Sequence, residues 1–300
     1  MIRDAAGNLH GTTINGGAGS GTVFKVDPTG HETILYSFTY DGPLPNHYSN
    51  LILDSAGNLY GTASRGGSTG VGFVFKVDEV GNETVLYLFT GGADGGTPYG
   101  GVIRDAAGNL YGTASAGGSN NAGVVYKVNP AGVETVLYSF RGGADGANPQ
   151  SVLTADGQGN LYGTTVQGGT TSSGTGAGVV FKIDSSAHET VLYSFTGGSD
   201  GGSPYAGVIR DAAGNLYGTT SAGGAGNAGC NLQTGADTET VLYSFTGLLD
   251  GGSPYSGLIL GAGPALYGTA FGAYNPATNY IIPIIFPQQP GVVYQLIPKQ

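Results

Sequence analysis

Residues 57–62 read G-N-L-Y-G-T, and close variants of this stretch occur six times along the 300-residue chain. The leucines of the six copies are Leu9, Leu59, Leu110, Leu161, Leu216 and Leu266. Successive copies are therefore 50, 51, 51, 55 and 50 residues apart. A period near 50 residues is typical of repeat proteins in which each period is one supersecondary unit that stacks on its neighbours.

Within one period, four short apolar runs alternate with turn-forming residues. In the second copy the runs span residues 50–54, 59–64, 73–78 and 83–89. Runs of this length rich in Val, Leu, Tyr, Phe and Thr are typical of β-strands, and no window shows the apolar period of a helix. Six such units predict an all-β fold, a six-bladed β-propeller that forms a single domain over residues 1–300. A β-solenoid would need about half this period, and a sandwich would not repeat in this way.

The composition limits the classes of partner. The net charge is −10 with 10 Lys and Arg residues, so the chain has no basic stripe for nucleic acid or an anionic membrane. The 59 glycines recur between apolar runs, which indicates tight turns. Cys230 is the only cysteine, which excludes an internal disulfide. No apolar run reaches membrane-spanning length, and the first residues already match the repeat, so we expect either a cytoplasmic chain or one whose upstream segment has been removed or not recorded.

The last two copies depart from the pattern. In the fifth, residues 230–233 read C-N-L-Q where V-F-K-V is expected, and we expect a damaged third strand there. In the sixth, an apolar loop with several prolines occupies residues 271–290, the third strand returns at 292–297, and no E-T-V-L-Y-S-F follows. The sixth blade is therefore predicted to lack its fourth strand and to expose an unpaired edge, which could pair with other chains.

Three interpretations of this edge stay open. The chain is a slice of a longer gene product whose upstream residues carry the strand, or the edge serves assembly with other copies, end to end into a fibre, or the blade has three strands without further consequence. The loop at 271–290 is either a partner-binding patch or a plug over the mouth of the propeller. The candidate self-association residues are Val292, Val293, Tyr294, Leu296, Ile297, Ile281, Ile282, Ile284, Ile285 and Phe286.

Three motifs, each representative of one part of the repeat, carry a family resemblance. Residues 207–220 read G-V-I-R-D-A-A-G-N-L-Y-G-T-T, residues 178–183 read G-V-V-F-K-I, and residues 239–245 read E-T-V-L-Y-S-F. This combination resembles the GloVer tandem repeat of bacterial proteins, and D-A-A-G-N-L-Y is also similar to NHL and related propeller blades. The resemblance implies a secreted or surface-attached protein, with varied C-terminal anchors in the family, and implies no established activity.

Two sets of aspartates recur with the repeat. The first set precedes Gly-Asn turns, where a carboxylate accepts hydrogen bonds from backbone amides, so we interpret it as structural: Asp4, Asp54, Asp105, Asp156 and Asp211. The second set heads D-G-x-x-P loops, mostly followed by tyrosine: Asp41, Asp94, Asp145, Asp200, Asp250, Tyr48, Tyr99, Tyr205 and Tyr255. These residues could bind Ca²⁺ through oxygen atoms or a glycan through tyrosine rings. Alternatively, they are turn-forming residues that recur because the blade recurs.

Catalytic motifs lack their usual context. The histidines have no metal-ligand spacing, and G-x-S-x-G at residues 66–70 and G-x-G-x-x-G at 224–229 are not followed by a helix. We therefore expect no enzyme and no required cofactor.

The sequence favours an extracellular structural or self-assembling propeller that contacts copies of itself through the sixth-blade edge and the 271–290 loop. The alternative is a carbohydrate- or calcium-binding module, and a glycan-cleaving enzyme is a weaker third hypothesis.

Overall fold

A computed structural model of the chain describes residues 1–39, 49–171, 174–234, 239–248, 250–271 and 292–298. The described residues form β-strands joined by turns and loops, and contain no helix. No described segment could cross a membrane as an apolar helix. The loop candidates Ile281, Ile282, Ile284, Ile285 and Phe286, together with Asp41 and Tyr48, lie outside the described residues.

The strands fall into six successive antiparallel sheets, which we call blades 1 to 6. Blade 1 contains β1 (Ile2–Arg3), β2 (Leu9–Thr12), β3 (Thr22–Val26) and β4 (Glu32–Ser37). Blade 2 contains β5 (Ile52–Leu53), β6 (Leu59–Ala63), β7 (Phe73–Val77) and β8 (Glu83–Leu88). Blade 3 contains β9 (Ile103–Arg104), β10 (Leu110–Ala114), β11 (Val124–Val128) and β12 (Glu134–Ser139).

Blade 4 contains β13 (Thr154–Ala155), β14 (Leu161–Thr165), β17 (Val179–Ile183) and β18 (Glu189–Ser194). Its longer loop carries a small extra hairpin, β15 (Thr170–Thr171) and β16 (Gly174–Thr175). Blade 5 contains β19 (Ile209–Arg210), β20 (Leu216–Thr220), β21 (Cys230–Thr234) and β22 (Glu239–Ser244). Blade 6 contains β23 (Ile259–Leu260), β24 (Leu266–Ala270) and β25 (Val292–Leu296).

Strand order within each sheet follows the sequence, and each of the six repeat leucines begins the second strand of its blade. Blades 1 to 5 have four strands, whereas blade 6 has three. The predicted fold class is therefore confirmed: the chain is an all-β, six-bladed β-propeller whose sixth blade lacks a fourth strand among the described residues.

Two local predictions need correction. The first strands are only two residues long, such as Ile52–Leu53, because the turn after Asp54 begins at once. The expected damage to the third strand of blade 5 is also wrong, since β21 pairs along all five residues with both neighbours. Backbone pairing requires no particular side chain, and Cys230 and Leu232 fill the buried positions that Phe73 and Phe75 occupy in blade 2.

The packing of blade 2 accounts for the residue types of the motif L-Y-G-T. Leu59 is buried in the core. Gly61 lies against Phe75, where a Cβ atom would come within 2.7 Å of the ring. The hydroxyl of Thr62 donates to the carbonyl oxygens of Pro98 and Gly100, at 3.2 and 2.9 Å, and so ties blade 2 to the start of blade 3.

The chain divides into two compact units. One consists of Met1–Gly142 with Asn148–Ala155, and the other of Gly143–Ala147 with Asp156–Gln300. Blades 1 to 3 lie in the first unit, and blades 5 and 6 lie in the second. The assignment of residues 1–300 to a single domain stays a prediction.

Candidate functional site: the open edge of blade 6

The first aspartate set builds turns, as its spacing indicates. Asp54 accepts hydrogen bonds from the backbone amides of Ala56 and Asn58, both at 2.9 Å, and from the hydroxyl of Tyr60 at 2.9 Å. Burial opposes ionisation, but these donors hold the pKa of Asp54 below its ordinary value. Asp105, Asp156 and Asp211 repeat the arrangement with their own Asn and Tyr residues. This set therefore stabilises the turns between first and second strands.

The second aspartate set also closes its own loops. Asp200 accepts from the Thr196 amide at 2.7 Å and the Tyr193 hydroxyl at 3.0 Å, both on Oδ2, while Oδ1 accepts from the Thr196 hydroxyl. Asp94 and Asp250 have the same three donors in their own blades, and Asp145 is buried. Both oxygens of each of these hydrogen-bonded carboxylates already accept hydrogen bonds within the loop, so an incoming cation would compete with these donors.

Of the loop tyrosines, the structure brings two together. The rings of Tyr205 and Tyr255 lie 5.2 Å apart between centroids, at an interplanar angle of 52°. Tyr255 is 56 % exposed, whereas Tyr99 and Tyr205 are half-buried. In the described part of the chain, no three His, Cys, Asp or Glu residues are placed to hold a metal ion. The ligand-binding role of this residue set stays a prediction.

The open edge of blade 6 is the feature that sets it apart from the other blades. β25 pairs with β24 along all five residues, and no described strand pairs with its other edge. Val293 is 78 % exposed and Ile297 is 61 % exposed. The residues equivalent to Val293 in blades 1 to 5 are completely buried: Val23, Val74, Val125, Val180 and Asn231. The unpaired edge predicted at residues 292–297 is therefore present and apolar.

Tyr294 and Leu296 lie on the opposite face of β25 from Val293 and pack toward blade 5. Tyr294 packs edge-on against Phe245, with ring centroids 5.2 Å apart, and its hydroxyl donates to Asn231 at 2.9 Å. Burial raises the pKa of Tyr294 to about 12. Val292 and Leu296 are half-buried. These contacts hold β25 in place and leave its outer edge and Val293 open to a partner.

Blade 5 has an exposed surface beside the unpaired edge of blade 6. Between blades 1 and 2, the fourth-strand Tyr36 donates to Glu83 of the next blade at 3.3 Å. The equivalent Tyr243 of blade 5 donates to Asp250 at 2.8 Å and is 39 % exposed. Tyr36, Tyr87, Tyr138 and Tyr193 are all less exposed. Tyr243 therefore lies beside the place that a fourth strand of blade 6 would fill.

Glutamates at the start of the fourth strands form a second group that sequence reasoning missed. Burial, together with the negative charge of Asp94, raises the pKa of Glu134 to about 7. In the same way, burial and Asp200 raise the pKa of Glu239 to about 7. One carboxylate oxygen of each is buried without a hydrogen-bond partner. The sequence signal was present, because every E-T-V-L-Y-S run begins with this acid.

A cavity between blades 1 and 2 was also missed. Between blades 2 and 3, the guanidinium of Arg104 in blade 3 lies 5.6 Å from the centre of the Tyr60 ring in blade 2. At the equivalent positions one blade earlier stand Leu53 and His10, and a cavity of about 530 Å³ opens there, lined by acidic residues and Lys25. His10 contacts Asp4 at 3.1 Å, and hydrogen bonds from Asn8 and His10 hold the pKa of Asp4 well below its ordinary value. Aligning the six copies would have revealed both substitutions.

Solved structures with a similar backbone support the fold. A candidate 6-phosphogluconolactonase from Bacteroides uniformis matches with a TM-score of 0.53 and 16 % identity, over 97 % of this chain and 82 % of that one. A puromycin hydrolase variant complexed with PGG matches with a TM-score of 0.57 and 12 % identity, over 98 % of this chain and 42 % of that one. At such identities the likeness shows the fold alone.

Sequence comparison gives the family. No curated protein matches the chain significantly. The family model described as the Gloeobacter/Verrucomicrobia repeat matches residues 1–177, more than half of the chain. This segment contains the first three blades and, from the fourth, the first two strands and the extra hairpin. The chain therefore belongs to the Gloeobacter/Verrucomicrobia repeat family.

Proposed function

We propose that this protein is a non-enzymatic structural module that assembles with copies of itself through the open edge of blade 6. The observation that carries the proposal is the unpaired, apolar β25, with Val293 78 % exposed. Unpaired strand edges pair readily with other chains, and natural proteins usually protect them with charges, prolines or covering segments. Assembly at this edge would pair the free backbone groups of β25 and bring partner side chains beside Val293, whose equivalents Val74 and Val180 are buried against the next blade.

Sedimentation velocity over a range of concentrations tests the proposal. The wild-type chain is expected to form larger species as concentration rises, and Val293→Lys is expected to prevent this, because a lysine at an edge opposes strand pairing. Val80→Lys is the matched control, since Val80 is 82 % exposed at a turn of blade 2 and far along the chain from β25. A wild-type chain that stays monomeric, or a Val293→Lys variant that assembles like the control, would reject the proposal.

An extracellular or cell-surface location forms part of the same proposal and rests on the family resemblance. A structural module that acts between cells or at their surface must reach that surface. Fractionation of the producing cells with an antibody to the native protein tests the location. Recovery of all the protein in the cytoplasmic fraction would contradict it.

A second candidate function is glycan binding at Tyr205 and Tyr255. The favouring observation is the pair of neighbouring rings, one of them exposed, since sugars stack on aromatic faces. Calcium is a weaker ligand hypothesis, because Asp200 and Asp250 already accept hydrogen bonds from Thr and Tyr donors. A glycan panel with wild-type and Tyr255→Ala protein tests the first ligand class, and calorimetry with Ca²⁺ tests the second. Glycan binding that is unchanged in Tyr255→Ala would show that Tyr205 and Tyr255 do not form the glycan site.

A further inference from the structure

The pairing between third and fourth strands is the same in all five complete blades. In blade 2, Val77 lies opposite Glu83, Phe75 opposite Val85 and Val74 opposite Tyr87, with a bulge between Val74 and Phe75. Blades 1, 3, 4 and 5 repeat this register and this bulge position. Blade 5 does so although its third strand reads C-N-L-Q-T. The register is therefore a property of the repeat and does not depend on one third-strand sequence.

β25 pairs with the second strand of its blade in the register that the other third strands use. Tyr294 lies opposite Gly268, as Phe75 lies opposite Gly61 in blade 2. The positions that face a fourth strand elsewhere are held here by Val293, Tyr294 and Leu296, all of which can pack against apolar partners. A fourth strand could therefore be added in the register that the other blades use.

Blade 5 presents the complementary side of the vacant position. Between blades 4 and 5, the side chains of Tyr193 and Asp200 face Glu239, the first residue of the next fourth strand. Tyr243 and Asp250 reproduce the Tyr–Asp pair one blade later, with Tyr243 39 % exposed. The surface beside β25 therefore has the shape and the hydrogen-bonding groups that accompany an incoming Glu-Thr-Val-Leu-Tyr-Ser strand elsewhere in the chain.

We propose that the open edge of blade 6 accepts an extended segment of a separate chain that carries the fourth-strand pattern Glu-Thr-Val-Leu-Tyr-Ser. The segment runs antiparallel to β25, with its glutamate opposite Leu296 and its tyrosine opposite Val293. The inference rests on the proposed function, because it uses the same edge of blade 6. It adds the residue pattern of the partner strand and the register in which that strand pairs with β25. The fourth strands of blades 1 to 5 are already paired within their own blades, so a segment outside a finished blade is the occupant that the structure favours.

A synthetic peptide that copies residues 239–245, E-T-V-L-Y-S-F, tests the inference directly, with a scrambled peptide of the same composition as control. Hydrogen exchange of the Val292–Leu296 amides is expected to slow about tenfold or more when the copied peptide is present, because backbone pairing protects edge amides. The scrambled peptide is expected to leave exchange unchanged. No added protection from the copied peptide, or equal protection from both peptides, would overturn the inference.

Disulfide trapping tests the register. The chain variant Val293→Cys is expected to cross-link to the peptide with Tyr243→Cys, because directly opposed residues on paired strands bring their Cβ atoms about 5 Å apart. The peptide with Thr240→Cys places its sulfur opposite Gln295 and is expected to react far less. Cys230 is fully buried, and a Cys230→Ala background removes it as a competitor. Equal cross-linking by both peptides would overturn the proposed register.

The two proposals can fail separately. Self-assembly that Val293→Lys abolishes, combined with no peptide binding, would retain the proposed function and overturn the inference. Peptide binding in register by a chain that stays monomeric would support the inference and reject self-assembly. Assemblies that the copied peptide dissolves, and the scrambled peptide does not, would support both and identify a second copy as a source of the strand.

Discussion

Blades 2 and 6 are built from the same repeat and differ most at one strand. In blade 2, Val74 and Phe75 of β7 are completely buried, whereas in blade 6 the equivalent Val293 is 78 % exposed and Tyr294 is half-buried. Both third strands pair with their second strands along five residues. The difference lies in the neighbours. Val74 packs in one core cluster with Val102 and Tyr126 of blade 3, and β8 pairs with β7, whereas no described strand pairs with the outer edge of β25. In this fold, burial of third-strand side chains therefore depends on the adjacent strand and on the next blade more than on the third strand's own sequence.

The largest expected effect comes from truncating the buried aromatic of β7. Phe75→Ala is expected to lower the free energy of unfolding by about 3–5 kcal/mol, because it removes a fully buried ring and leaves a cavity. Tyr294→Ala in blade 6 is expected to cost clearly less, because an open edge can relax around the lost ring. Urea unfolding followed by circular dichroism measures both. Equal losses would show that β25 is as well covered as β7.

The glycines beneath these two aromatic rings give a second test of the difference between blades 2 and 6. An added Cβ at Gly61 would lie 2.7 Å from Phe75 and 2.9 Å from Leu51, and one at Gly268 would lie 2.3 Å from the Tyr294 hydroxyl. Gly61→Ala is expected to destabilise the protein by about 1–3 kcal/mol through overpacking. Gly268→Ala is expected to cost less, because Tyr294 can move toward the open side. The measurement is again urea unfolding, and a larger loss for Gly268→Ala would contradict this account.

The threonine of L-Y-G-T gives a smaller difference between the two blades. Thr62 is fully buried and donates to two backbone carbonyls of the next blade, whereas Thr269 is exposed. Thr62→Val is expected to lower the free energy of unfolding by about 1 kcal/mol, the usual net value of such a hydrogen bond. Thr269→Val should leave it nearly unchanged. Thermal unfolding of both variants, with wild type as reference, decides between these outcomes.

The smallest expected effect is a pH dependence from the fourth-strand glutamates Glu83, Glu134 and Glu239, whose pKa values are raised by burial, whereas blade 6 has no described fourth strand. Folding raises the pKa of Glu134 from 4.5 to about 7, so its contribution is fully present below the unfolded value and is lost as pH rises through the folded value. The melting temperature is therefore expected to fall modestly between about pH 5 and pH 8, since the group is partly solvated and screened. Glu134→Gln should flatten this slope.

Glu79→Gln is the matched control for this pH experiment, because Glu79 is exposed at a turn of blade 2. The turn aspartates act in the opposite direction. Folding lowers the pKa of residues such as Asp94 and Asp200, so their contribution is lost as pH falls through the folded value. Together the two groups predict greatest stability on the mildly acidic side of neutrality. A slope that Glu79→Gln flattens as much as Glu134→Gln would contradict the assignment.

Local features of the sequence predicted most of the architecture. The period of G-N-L-Y-G-T located the second strand of every blade, because a motif read within a few residues specifies a strand and its turn. The repeat also predicted the third strand of blade 6 at residues 292–297, and the described part of that blade has three strands. The predicted damage to β21 is wrong, because the side chains of C-N-L-Q suggest a weak strand, whereas pairing along a ladder uses the backbone.

The candidate sites depended more on contacts between distant residues. Spacing placed Asp94, Asp200 and Asp250 in equivalent loops, but it could not reveal that Tyr and Thr donors occupy their oxygens. Nor could it reveal that Tyr205 meets Tyr255, or that a cavity opens where His10 and Leu53 replace Tyr and Arg. Each of these depends on which side chains two neighbouring blades bring together.

The number of blades, the order of their strands and the chemistry of their turns could all be read from the amino-acid sequence. These features follow from residues close together in the chain, where spacing and residue type are sufficient. The tertiary structure alone decided which side chains are buried, which carboxylates have hydrogen-bond donors, and that Tyr243 and β25 present one exposed surface. The reason is physical: burial and hydrogen bonding are set by neighbours in space, and in this protein those neighbours are about fifty residues apart in the sequence.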